Sequence, residues 1–186
     1  MKSVLNKKDE GKRNQIILGV ILLGLMIFSS LGYAFGDRQE TTSQKIEYKG
    51  IIFVKDNSYW VSNINDMAIT TLYNPLELEN ISVGGSPEIS DYSNEPLYFI
   101  GGSQEANYEI VRNIGKVALR MGDACLDENC EGNYPIKNCS SDKIIIFKES
   151  DSEEKVYSEE NCVYIVSSLE NQTRGADAFL FKLLSI

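Results

Sequence analysis

The residues in this sequence best able to do chemistry are four cysteines, Cys125, Cys130, Cys139 and Cys162, spaced C-x4-C-x8-C-x22-C. Four thiolates around a zinc ion usually come as two tight C-x2-C knuckles, and this spacing holds neither. A thiol–disulfide redox centre would prefer C-x-x-C, which is also absent. In a domain outside the cytoplasm, an even cysteine count reads as two disulfides, with three pairings open to them. If the chain from Lys143 to Val166 is a hairpin turning near Ser152, Cys139 comes close to Cys162. Cys125 is then left to close a short loop with Cys130. Both bonds are expected to be structural.

The other candidate groups are weaker. There is no histidine among the 186 residues, which removes Ser–His–Asp and Cys–His nucleophile pairs and every His-ligated zinc or haem site. Asp127-Glu128-Asn129-Cys130-Glu131-Gly132 reads D-x-N-x-E-G, the front half of an EF-hand-like calcium loop. Its twelfth position is Asn138 where a bidentate glutamate is needed, so an acidic disulfide loop without metal is the expectation. Gly101-Gly102-Ser103 joins a strand to a helix, but no Gly-Lys-Ser/Thr follows and a nucleotide P-loop is excluded. Ser103 there reads as a helix N-cap. The adjacent acids Glu153-Glu154 and Glu159-Glu160 sit near turns, where carboxylates are solvated, so no catalytic residue is assigned and no cofactor is expected. Sequons at Asn80, Asn138 and Asn171 are compatible with glycosylation, in a number close to chance.

The elements that position these groups begin with IILGVILLGLMIFSSLGYAF, Ile16 to Phe35, twenty residues without a charge. At 1.5 Å per residue this is roughly 30 Å of helix, the thickness of a bilayer core, so contact with the lipid bilayer through Ile16 to Phe35 is expected. Lys2, Lys7, Lys8, Lys12 and Arg13 precede the span, while only Asp37, Arg38 and Glu40 closely follow it. Basic flanks stay in the cytoplasm, so residues 1–15 are expected inside and the rest of the chain outside. Gly32-Tyr33-Ala34 would suit a cleaved signal peptide, but the apolar stretch exceeds a usual h-region, and an uncleaved anchor is the expectation.

Residues 36–45 are polar and aperiodic, a linker to a domain over 46–186. Beyond residue 36 stand 13 basic and 25 acidic side chains, a net charge of −12. Such a domain is repelled by nucleic acid, and none is expected as a partner. Ile51 to Val54, Tyr59 to Val61 with Ile64, and Met67 to Tyr73 are short β-rich runs between turn residues, as in an antiparallel meander. Trp60 reads as a core aromatic. Leu97 to Ile100 then leads into a helix with Ile110, Val111, Ile114, Val117, Ala118 and Met121 on one face. Lys143 to Lys148 is a strand buried on both faces, with Val156 to Val166 pairing against it across an acidic turn. Ala176, Phe179, Leu180, Leu183 and Leu184 form the stripe of a last helix. The expected fold class is α+β: a transmembrane helix, then one domain with a meander, a mixed sheet and two packed helices.

Several stretches resemble an uncharacterised family of short single-span membrane-anchored archaeal proteins. They are Tyr48-Lys49-Gly50 with Phe53 and Trp60, Tyr73 to Glu79 (YNPLELE), Ile146 to Ser150 (IFKES), Glu160 to Val163 (ENCV) and Ala176 to Leu184 (ADAFLFKLL). The resemblance implies a location at the cell membrane with the C-terminal domain outside, and no activity. The leading expectation is therefore an extracytoplasmic structural or binding role, with an envelope protein or a glycan as partner. The alternatives are an anchored hydrolase using carboxylates or a thiol–disulfide redox protein. A cleft with two or more converging acids of raised pKa would favour the hydrolase.

Overall fold

The computed structural model of this chain describes residues 6–35 and 44–186, apart from 65 and 131. It divides into two units, Met1–Thr42 and Ser43–Ile186. In the first, helix α1 runs Asn6–Phe35. Side chains are described for residues 14–29, and the large apolar ones from Ile16 to Phe28 are 49% to 77% exposed. Among the described residues no helix is long and apolar enough to cross a membrane. Most of the expected linker, residues 36–43, lies outside the described residues.

The second unit opens with an antiparallel sheet in chain order: β1 (Lys45–Tyr48), β2 (Ile51–Asp56), β3 (Tyr59–Ile64) and β4 (Met67–Thr71). The meander is the expected one with an extra first strand, which starts inside the expected linker. β1 offers only Ile46 and Tyr48 to the core, too few apolar positions to stand out in sequence. Period-two alternation sends Phe53, Trp60, Ile64 and Ile69 to one face, each at most 6% exposed. Lys49 and Gly50 both take positive φ, as the tight turn joining β1 to β2 requires.

A six-stranded mixed sheet follows, ordered β5-β9-β10-β8-β6-β7. Its members are β5 (Ser82–Val83), β6 (Pro96–Ile100), β7 (Arg120–Asp123), β8 (Lys143–Glu149), β9 (Lys155–Glu159) and β10 (Cys162–Ser167). Helix α2 (Gln104–Ile114) connects β6 to β7, and α3 (Gln172–Leu183) ends the unit. β8 lies inside the sheet between β6 and β10, and Ile144 to Phe147 are all buried.

Two expectations are corrected. Val156 to Val166 is two strands rather than one: Glu160 takes a positive φ of 53°, and β9 turns back antiparallel onto β10, pairing Tyr157 with Tyr164. β8 is not their hairpin partner; it runs parallel to β10, with Ile145 beside Val163. Nor does the first domain helix continue to Met121. It stops at Ile114, the Gly115 N–H caps the Val111 carbonyl, and Met121 lies in β7.

α2 and α3 cover one face of the large sheet. Ile110, Ile114, Phe179 and Leu180 pack with Leu97, Phe99, Ile145 and Ile165, and the same core takes in Phe53 and Trp60 from the meander. Phe53 and Phe181 meet edge-to-face with centroids 5.7 Å apart. The expected stripe of α3 is buried throughout, with Leu184, just past the helix, the most exposed of the five at 7%. The opposite face carries a smaller cluster of Tyr98, Ala124, Ile144, Ile146 and Cys162.

Candidate functional site

The cysteines stand in two pairs at disulfide distance, Cys125 with Cys130 and Cys139 with Cys162, their Cα atoms 5.9 Å and 5.1 Å apart. Cys139 and Cys162 do not meet across a hairpin. They meet at the amino ends of two parallel neighbours, β8 and β10, where the Asn161 N–H donates to the Cys139 carbonyl over 3.0 Å. Cys125 follows β7 directly. Its N–H donates to the Pro135 carbonyl over 3.0 Å and its carbonyl accepts from Lys137 over 2.8 Å. The second bond thus closes a loop that is already tied back at its base.

That loop walls a cavity of about 500 Å³. The floor is the carboxyl ends of two parallel strands, Phe99 and Ile100 of β6 and Asp123 of β7, followed by Ala124. Ligands of open parallel sheets characteristically bind at this edge, because loops there can vary while the strands stay fixed. Gln104 and Asn107 in the first turns of α2, and Cys130 and Tyr134 of the disulfide loop, complete the lining. Among the described residues, no lysine or arginine lines the cavity.

Local rules set these side chains. Gly101 and Gly102 take φ of +70° and +89°, turning the chain from β6 into α2. A Cβ on Gly102 would stand 2.6 Å from the Phe147 ring and 2.9 Å from Asn107 Oδ1, so only glycine lets both approach. Ser103 is the N-cap, its Oγ accepting from the Ala106 N–H over 3.2 Å. The Ser103 N–H in turn donates to Gln172 Oε1 over 2.6 Å, which fastens the start of α2 to that of α3. Asn107 Nδ2 donates to the Gly101 carbonyl over 3.2 Å. Its Oδ1 is buried with no hydrogen-bond partner among the described residues. The Tyr134 ring lies against Gly132, where a Cβ would come within 2.5 Å of it, and Tyr134 remains 48% exposed.

A second polar cluster was not foreseen from sequence. Thr70, on the outer edge of β4, bonds to Asn113 of α2 twice, its N–H donating to Oδ1 over 2.9 Å and its carbonyl accepting from Nδ2 over 2.8 Å. Arg112 also donates to that carbonyl, over 2.9 Å, and forms an ion pair with Glu109. Beyond the strand, Asp177 Oδ2 of α3 accepts from the N–H groups of Leu72 and Tyr73 over 3.0 Å and 2.9 Å. These side chains replace the missing neighbour strand at an exposed edge. Asp177 is 0% and Glu109 4% exposed. Burial, and next the charge of Glu109, drives the Asp177 carboxyl well above its ordinary range. Burial raises Glu109 too, against the opposing pull of Arg112. In the sequence both acids look like surface charges of amphipathic helices, which is why they were missed.

Two converging acids with raised pKa therefore exist, but neither lines any cavity described in this unit. Asp177 Oδ2 faces two backbone N–H groups and a Glu109 oxygen faces Arg112, so these contacts join elements of the fold. The paired acids of the sequence are surface groups: Glu153 bonds Lys155 over 2.9 Å, Glu154 faces Arg174 over 3.6 Å, and Glu159 and Glu160 are exposed. A smaller cavity of about 170 Å³ is lined by Asp91, Lys143 and Glu160 among others, and both of these acids are exposed. Asp127 caps its own turn, accepting from the Asn129 N–H over 2.8 Å. Glu131 of the calcium-like pattern lies outside the described residues, and among those described no group of three or more acids and cysteines gathers for a metal ion. Of the sequon asparagines, Asn80 accepts from Arg174, and Asn138 is engaged by Ser140 and Ser141. No protein-family model matches the chain, and neither does any curated protein or solved structure.

Proposed function

We propose that this chain is a single-span membrane protein whose C-terminal domain works outside the cytoplasm in a binding or structural role. The observation that carries the reading is the pairing of all four cysteines at disulfide distance, since such bonds persist in oxidising compartments and are reduced in the cytosol. The anchor is α1, whose sequence from Ile16 to Phe35 is free of charge, with the basic residues ahead of it on the cytoplasmic side. A net charge of −12 beyond residue 36 keeps such a domain soluble beside a membrane. The hydrolase reading gains no support, because the acids of raised pKa are spent on the edge of β4.

The test is the intact mass of the protein taken from native membranes and alkylated without reductant. The expected result is no alkylation, a mass four hydrogens below the reduced chain for its two bonds, and retention of the first 34 residues. Uptake of reagent at the cysteines overturns the exported placement, and loss of the first 34 residues overturns the anchor.

A further inference from the structure

We propose that the cavity at the carboxyl ends of β6 and β7 is a binding site for a neutral saccharide segment. This rests on the reading of the domain as an extracytoplasmic binding module and gives that module a ligand class. A volume of about 500 Å³ falls within the range of small-ligand sites, roughly 300–1,000 Å³. The chemistry of the lining selects the ligand. Tyr134 offers a ring fixed against Gly132 and 48% exposed, a platform for the apolar C–H face of a pyranose. Asn107 also lines the cavity, its Nδ2 donating to the Gly101 carbonyl and its Oδ1 buried beneath the lining. The exposed Asp123 carboxylate in the lining accepts only, and the Gln104 amide both donates and accepts. Hydroxyls, which donate and accept in turn, satisfy both groups.

Other ligand classes fit less well. An anion finds no lysine or arginine in the lining and meets a domain of net charge −12. A divalent cation needs six or more oxygens, and Asp123 is the one carboxylate among the described residues that line the cavity. The bond from Cys125 to Cys130 then has a local purpose: it holds the wall that carries Tyr134 at a fixed distance from Asn107.

The test uses the full chain in an uncharged detergent, with saturation-transfer NMR and calorimetry. The neutral probes are cellotetraose, maltotetraose, chitotetraose and mannotetraose, compared with tetragalacturonate as an anion and spermidine as a cation. At least one neutral tetrasaccharide is expected to bind. Tyr134→Ala is expected to weaken it by roughly tenfold or more, the scale of one lost aromatic stack, while Tyr134→Phe stays within about twofold. Gln104→Trp, at an exposed position of the lining, fills the cavity without removing a buried contact and should abolish binding even if Tyr134→Ala misfolds. No binding by any neutral probe, binding unchanged in Gln104→Trp, or tighter binding of spermidine or tetragalacturonate overturns the proposal. Oxidised cysteines with no saccharide binding would sink this site alone, whereas alkylated cysteines would sink the exported placement whatever the probes do.

Discussion

Asp177 is the residue on which the join between the helices and the meander turns. One oxygen holds two backbone N–H groups of the chain leaving β4, while the other, Oδ1, is buried with no partner among the described residues. Because burial and the Glu109 charge raise its pKa, the folded state binds the proton more tightly than the unfolded chain does. Its contribution is therefore greatest below the ordinary value of 3.8 and is lost as pH rises through the raised folded value. Asp177→Asn keeps an acceptor for both N–H groups and removes the charge. It is expected to raise stability at neutral pH by about 1 kcal/mol and to flatten the dependence on pH. Asp177→Ala leaves both N–H groups unanswered and should cost roughly 2–4 kcal/mol. Urea denaturation of the three proteins at pH 4.5 and pH 7.5 reads both effects, and equal pH slopes for wild type and Asp177→Asn would refute the assignment. Gly175 belongs to the same scale: a Cβ there would stand 2.5 Å from Ile165 Cγ2, so its absence lets α3 lie close on β10.

Among the elements, the two cysteine pairs divide the work of the long β7–β8 connection. Cys139 and Cys162 tie its end to β10 across a separation of 23 residues, and Cys125 and Cys130 close a separation of only 5. On the loop-entropy account, replacing the first pair by serine costs about 3 kcal/mol and the second about 2 kcal/mol. Thermal melts rank the two double variants, and reversal of the order would show that the long link is not the main restraint on the unfolded chain. The first pair also sits in the sheet core, with Cys162 0% exposed, so its loss should shift the global transition. Cys130 of the second pair lines the cavity, so on the proposal above its loss should act first on binding. Much of this was legible beforehand. Short β-rich runs between turn residues showed β2, β3 and β4, the unbroken run Ile144 to Phe147 showed a strand buried on both faces, and the C-terminal stripe showed α3. What failed was partner choice: a strand between two others carries no mark of direction, and the parallel pairing of β8 with β10 depends on contacts distant in sequence. The edge-capping role of Asn113 and Asp177 was hidden for the same reason, since a polar residue on a helix shows its value only once the strand it meets is known.

At the scale of the whole molecule, charge decides how solution conditions act on the fold. Even if each of the 13 basic side chains beyond residue 36 neutralised one acid, 12 of the 25 would remain unpaired. Surface pairs such as Lys137 with Asp142 at 3.0 Å and Lys155 with Glu153 at 2.9 Å contribute little in water and weaken with salt. The excess repulsion is spread over the surface at separations near or above a Debye length, so salt removes it more completely than it removes the short contacts. Screening should therefore stabilise the domain. Raising NaCl from about 20 mM to about 0.5 M, which shortens the screening length several-fold, should raise the midpoint of thermal unfolding by a few degrees. Chloride is the right anion for this test because sulfate strengthens apolar burial by itself. A midpoint that falls with NaCl would mean that the local pairs outweigh the net charge. The same repulsion should keep the domain off anionic lipid.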